Sequence, residues 1–83
     1  LCELFASVKS RKEAEMLLHD LLTPKEIEDI AERWQLLQGL ASGMPQRKVA
    51  EKYGVSISKI TRGSRVMQYG KGGVKHFLKK LKK

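Results

Sequence analysis

Apolar residues along this chain recur at helical spacing, and no segment alternates apolar and polar positions for long enough to make a strand. Ile27, Ile30, Ala31, Trp34, Leu37 and Ala41 form one stripe, and Leu36 and Leu40 widen it past the ~100° face that a surface helix usually buries. A helix with so wide an apolar face needs cover on more than one side. In a chain of 83 residues the expected cover is a second copy, so the pattern predicts a homodimer. Helix starts are clearly marked. Ser10-Arg11-Lys12-Glu13 is a capping box, predicting a helix that runs to about Leu22. Thr23-Pro24-Lys25-Glu26 repeats the device, with proline at the first helical position, where its missing N–H costs nothing. Gly43 is expected to end that helix. Two short helices are predicted from about Pro45 to Tyr53 and from Ile57 to Met67, around a turn at Gly54. Gly70, Gly72 and Gly73 then break the chain before a last helix from about Val74 to Leu81. The fold class read from this pattern is all-α, with about six helices, in a single domain spanning residues 1–83.

Composition narrows the function. At 41% hydrophobic residues the chain can build a modest core but no deep substrate cavity. No nucleophile stands beside a base at a recognisable spacing, so an enzyme is not expected. Cys2 has no partner for an internal disulfide, and with His19 and His76 it makes no recognised metal set; no metal is expected, and a reducing, cytoplasmic setting is. No apolar run is long enough to span a membrane, and no signal-peptide order of residues is present. The net charge of +8 is uneven. Leu1 to Glu51 carries seven basic and nine acidic residues, whereas everything from Lys52 onward carries ten basic and no acidic ones. A single-signed C-terminal part points to a polyanion, with nucleic acid ahead of an anionic membrane surface. The tail from His76 to Lys83 adds to that charge, and Phe77, Leu78 and Leu81 are its expected packing anchors.

Residues 46–65 read QRKVAEKYGVSISKITRGSR, two short helices around a glycine, which is the pattern of a helix-turn-helix. Ala50 is small where the helices cross, Gly54 supplies the positive φ of the turn, and Val49, Tyr53, Val55 and Ile60 fall where the pair meets the core. In such a motif the second helix enters the major groove and its first exposed residues meet base edges. Ile57, Ser58 and Thr61 are the candidate readers: Ile57 suits a thymine methyl, and the two hydroxyls donate or accept. Gln46 and Arg47 reach a phosphate or a neighbouring base, while Lys52, Lys59 and Arg65 are candidate phosphate partners that give affinity without sequence information.

The run Ile60-Thr61-Arg62-Gly63-Ser64 resembles the second motif helix of the bacterial tryptophan repressor family. The resemblance extends to the Leu22-Thr23-Pro24-x-Glu26 helix start, to Arg33 ten residues after Thr23, and to Met44-x-Gln46-Arg47. It implies an intertwined all-helical homodimer and a transcriptional repressor on a double-stranded, palindromic DNA operator. L-tryptophan is the implied corepressor, bound so that it orients the helix-turn-helix. On this chain the implied roles are Arg62 as partner of the ligand carboxylate, Arg33 on one face of the indole, Thr23 and Leu22 near the amino group from the other subunit, and Gly63 leaving room for the ring. The chemistry suits these residues. A guanidinium pairs with a carboxylate in a fork, and a second guanidinium stacks on an aromatic face. From the residues alone, Arg33 equally fits an ion pair with Asp29, four positions earlier on its helix.

Three positions depart from the family pattern. Lys59 stands where threonine is usual, Asp20 where an apolar residue lies near the ligand's amino end, and Val66 where serine is common. The first adds phosphate attraction, and the other two alter the surroundings of the ligand. The stretch Arg65-Val66-Met67-Gln68-Tyr69-Gly70 is also similar to a related group of tryptophan-repressor-like proteins. For these a DNA-binding regulator without a tryptophan response is the alternative reading.

Overall fold

The computed structural model describes residues 1–81, and those residues form six helices and no strand: α1 Cys2–Ala6, α2 Arg11–Leu21, α3 Pro24–Ala41, α4 Gln46–Tyr53, α5 Ile57–Tyr69 and α6 Gly73–Leu81. Their ends follow the local chemistry. Ser10 Oγ accepts from Glu13 N–H at 3.1 Å, while the Glu13 carboxylate reaches one residue beyond the cap and accepts from Lys9 N–H at 3.0 Å. At the start of α3 the box closes on itself, with Glu26 N–H donating to Thr23 Oγ1 at 3.2 Å and Thr23 N–H donating to Glu26 Oε1 at 2.8 Å. Each such pair satisfies orphan donors of the first turn. Past the end of α3, Gly43 takes a φ of +90°, and Gly54 between α4 and α5 takes +62°, a left-handed conformation that glycine adopts without strain. α5 runs two residues beyond the expected Met67, to Tyr69. No helix among the described residues is long and apolar enough to cross a membrane.

The chain divides into two compact units, Leu1–Ile30 and the part from Ala31 onward. In the first unit no residue is fully buried, and Phe5, Met16, Leu18 and Leu21 are all exposed. The second unit has the core. Leu36 and Leu37 of α3, Val49 of α4 and Ile60 of α5 form one buried cluster, with Leu40, Met44, Ala50, Tyr53, Val55, Met67 and Val74 packed around it. Complete burial of Val49 and Ile60 contributes roughly 1.5–3 kcal/mol each.

Two close approaches set the position of the α4–α5 pair on α3. A Cβ placed on Gly39 would stand 3.2 Å from Tyr53 Cε2 and 3.4 Å from Val49 Cγ2, so α4 lies against α3 at that glycine. Gly63 is tighter still. A Cβ there would come within 2.6 Å of Leu36 Cδ1, which places the backbone of α5 directly on the leucines of α3. The wide stripe expected on α3 is buried only in part: Leu36 and Leu37 are buried and Trp34 and Leu40 half-buried, but Ala31 and Ala41 are exposed and Ile30 is 46% exposed. Of the expected anchors of α6, Leu78 is half-buried, while Phe77 and Leu81 remain 52% and 64% exposed.

Candidate functional site

α4 and α5, joined through Gly54, are the two helices of the expected helix-turn-helix, and they pack directly on one another. Ser56 caps α5, its Oγ accepting from Lys59 N–H at 3.4 Å. The motif holds its two helices in register through a side-chain bond. Gln46 Nε2, at the first residue of α4, donates to Ser64 Oγ of α5 at 3.2 Å.

With Val49, Ile60 and Gly63 turned into the core, the opposite side of the motif is exposed. It presents Arg47, Lys48 and Lys52 from α4, and Ile57, Ser58, Lys59, Thr61, Arg62 and Arg65 from α5. Ile57 is 63% exposed at the N-terminal end of α5, open to contact from outside the chain. The polar groups beside it have internal partners. Thr61 Oγ1 donates to the Ile57 carbonyl at 3.0 Å, and the hydroxyls of Ser58 and Ser56 lie 3.3 Å apart. A back-bonded threonine hydroxyl has spent its proton but still accepts, so in this arrangement Thr61 is suited to a donor such as an exocyclic amine of a base. Lys59 Nζ meets Glu32 Oε1 of α3 at 2.6 Å, and Lys52 Nζ lies over the Tyr53 ring, 5.5 Å from its centroid.

The residues expected to meet a ligand fall in both units. Leu22 and Thr23 belong to the first, where Leu22 is the half-buried C-cap of α2 and the Thr23 hydroxyl is engaged in capping α3. Arg33, Arg62 and Gly63 belong to the second. Both arginines are exposed, and among the described residues neither has an ion-pair partner. Asp29, the other partner considered for Arg33, is engaged by Lys25 Nζ at 2.9 Å. Gly63 has a packing role of its own, the close approach to Leu36. The residues that sequence reasoning missed are Ser56, Ser64 and Glu32. Ser56 carried a signal, a serine just before a helix, whereas Ser64 and Glu32 bond across 18 and 27 residues, where no spacing rule applies.

The family profile described as Trp repressor protein matches residues 1–82. The chain belongs to the Trp repressor family. Members of that family regulate transcription by binding DNA and are not enzymes. Trp repressor relatives are similar along most of their length. A Trp operon repressor homolog of Chlamydia trachomatis serovar L2 is 40% identical over 81 residues, covering 92% of this chain and 86% of the relative. Similar proteins of the same description occur in Chlamydia caviae, 39% identical over 80 residues (95% of this chain and 79% of the relative), and in Xylella fastidiosa strain M23, 36% identical over 81 residues (96% and 86%). No solved structure gives a significant match.

Proposed function

We propose that this chain is a tryptophan-responsive DNA-binding transcriptional repressor that works as a homodimer in the cytoplasm, with residues 46–65 as its helix-turn-helix in a single domain. The observation that carries the reading is Arg62. It stands exposed on α5, without an ion-pair partner among the described residues, within the Ile60–Ser64 run, in a chain matched by the Trp repressor family over residues 1–82. A guanidinium so placed on the DNA-reading helix links a carboxylate ligand to the position of that helix. Arg33 of α3 supplies a second guanidinium for the indole face, Gly63 follows Arg62 on α5 and leaves room for the ring, and Thr23 and Leu22 complete the site from the partner subunit. Asp20 adds a carboxylate toward the ammonium end, and Val66 leaves the carboxylate end without the hydroxyl common in the family.

Ile57, Ser58 and Thr61 face the bases, Gln46 and Arg47 a phosphate or a neighbouring base, and Lys52, Lys59 and Arg65 the backbone. The exposed apolar residues of α1 and α2 support association of two copies, since a single chain leaves them uncovered. Two symmetric motifs then fit a palindromic operator with half-sites about one helical turn apart, ~34–36 Å.

A duplex selected from a random-sequence pool in the presence of L-tryptophan tests the reading when titrated with and without the amino acid. The ligand shifts the equilibrium only by its differential affinity for the DNA-competent arrangement, so a gain of roughly 5–150-fold is expected. Identical curves at saturating L-tryptophan overturn the corepressor and leave a ligand-independent DNA-binding regulator in its place.

A further inference from the structure

From Ala31 onward the sequence holds thirteen basic residues and only two acidic ones, Glu32 and Glu51. One of those two carboxylates, Glu32 of α3, reaches across to the reading helix. Lys59 Nζ donates to Glu32 Oε1 at 2.6 Å, a contact between α3 and α5 across 27 residues of sequence. The pair is open to solvent, with 55% of the lysine side chain and 36% of the glutamate side chain exposed, so DNA approaching α5 has access to both. Lys59 lies in the first turn of α5, two residues from the exposed Ile57.

We propose that Glu32 tempers the DNA affinity of the motif by competing with DNA phosphate for Lys59. Lysine is a point charge on a flexible stem, and the same three donors serve a carboxylate or a phosphate oxygen. In the free protein the ammonium is held by Glu32, and each approach to a phosphate must break that contact and leave the carboxylate facing the DNA backbone. Sequence-independent affinity is almost wholly electrostatic, so this competition is read directly on nonspecific DNA, and the base contacts that a selected site adds are untouched by it. Glu32 therefore lowers the affinity that a duplex draws from the Lys59 phosphate contact, whatever its sequence.

The inference rests on the DNA-binding reading, and the parent protein tests that reading first. Fluorescence anisotropy with a labelled mixed-sequence duplex at low salt, L-tryptophan present, compares the parent with Glu32→Gln, Lys59→Met and the double variant. Thermal melts verify that each is folded. Glu28→Gln removes the same charge from the same helix without touching Lys59.

Glu32→Gln is expected to tighten binding to the mixed-sequence duplex by roughly two- to fivefold, the scale of an exposed ion pair, and the gain shrinks as salt rises. In the Lys59→Met background the same change has no effect, and Glu28→Gln has little. An unchanged or weakened Glu32→Gln protein overturns the inference, as does a gain that persists without Lys59 or is matched by Glu28→Gln. In those cases the parent's own binding leaves the DNA-binding reading intact. A folded parent that binds no duplex DNA overturns both.

Discussion

The two units of this chain are both helical, yet they reach that state by different means. Leu1–Ile30 is organised by local chemistry: Ser10 and Thr23 cap their helices, and Lys25 pairs with Asp29 one turn away. It buries nothing completely. The part from Ala31 onward is organised by contacts distant in sequence, with Leu36, Leu37, Val49 and Ile60 gathered from three helices. Charge divides the same way, since the first thirty residues hold four basic and seven acidic residues against thirteen and two in the remainder. Local signals are thus sufficient to shape a helix but not to cover it. The unit with its own core carries the basic motif, and the unit without one leaves Phe5, Met16, Leu18 and Leu21 exposed.

The largest effects expected are on the core. Ile60→Ala removes a fully buried side chain between α5 and α3 and is expected to cost about 2–5 kcal/mol, read as a lower urea midpoint at fixed protein concentration. Gly63→Val acts in the same place by overpacking, because its Cβ would already stand 2.6 Å from Leu36 Cδ1. Changes in the first unit should look different. Leu21→Glu is expected to leave the motif folded but halve the sedimenting mass, from about twice that of the chain to that of one chain. A monomeric parent at micromolar concentration breaks this contrast, and with it the sharing of a ligand site between copies.

Next in size are the ligand contacts, which the proposed function divides between the units. Arg62→Ala is expected to cost L-tryptophan roughly 1.5–3 kcal/mol of binding free energy, the range for a hydrogen bond to a charged group. Arg33→Ala should cost less, ~0.5–2 kcal/mol, because stacking on an indole face is the weaker interaction. Calorimetric titration with L-tryptophan and with a decarboxylated indole analogue separates the two, since the analogue should bind Arg62→Ala as well as it binds the parent. Thr23 carries a structural role as well as the proposed one. Thr23→Ala is expected to cost about 1 kcal/mol of stability through the lost cap, whereas Thr23→Ser keeps the cap, so any ligand effect that survives in the serine variant belongs to the methyl group.

What could be read from the sequence follows the same division. The capping boxes, the left-handed Gly54 and the placement of Val49 and Ile60 were all legible, because each depends on residue type at short spacing. The α3 stripe was legible as a face but not as a burial pattern. Periodicity identifies which side of a helix is apolar; it says nothing of whether Ile30 finds cover in the same chain. Phe77 and Leu81 fall to the same limit. Within the candidate site, the exposed basic residues of α5 were legible from charge, while Gln46–Ser64 and Glu32–Lys59 were not, since both depend on how α5 docks. Lys59 alone carried a hint, by standing where the family usually has threonine.

The smallest effects separate two residues of α5 that differ in what they offer DNA. Lys59→Ala is expected to flatten the dependence of log affinity on log salt by about one unit, because one phosphate contact and its released counterion are lost, while sequence preference stays nearly the same. Thr61→Ala is expected to do the reverse. Its hydroxyl proton is committed to the Ile57 carbonyl, so what DNA loses is an acceptor near the bases, which shifts preference at one position with little change in slope. Lys12→Ala supplies the comparison with the other unit: it removes the same charge from α2, where acidic residues outnumber basic ones, and should leave both slope and preference unchanged. Titrations of a selected duplex and its single-base variants at several salt concentrations measure all three. If Lys12→Ala flattens the slope as much as Lys59→Ala, the phosphate contacts are not confined to the basic unit. If Lys59→Ala and Thr61→Ala behave alike, the assignment of one to the backbone and the other to the bases fails, whatever their shared helix does.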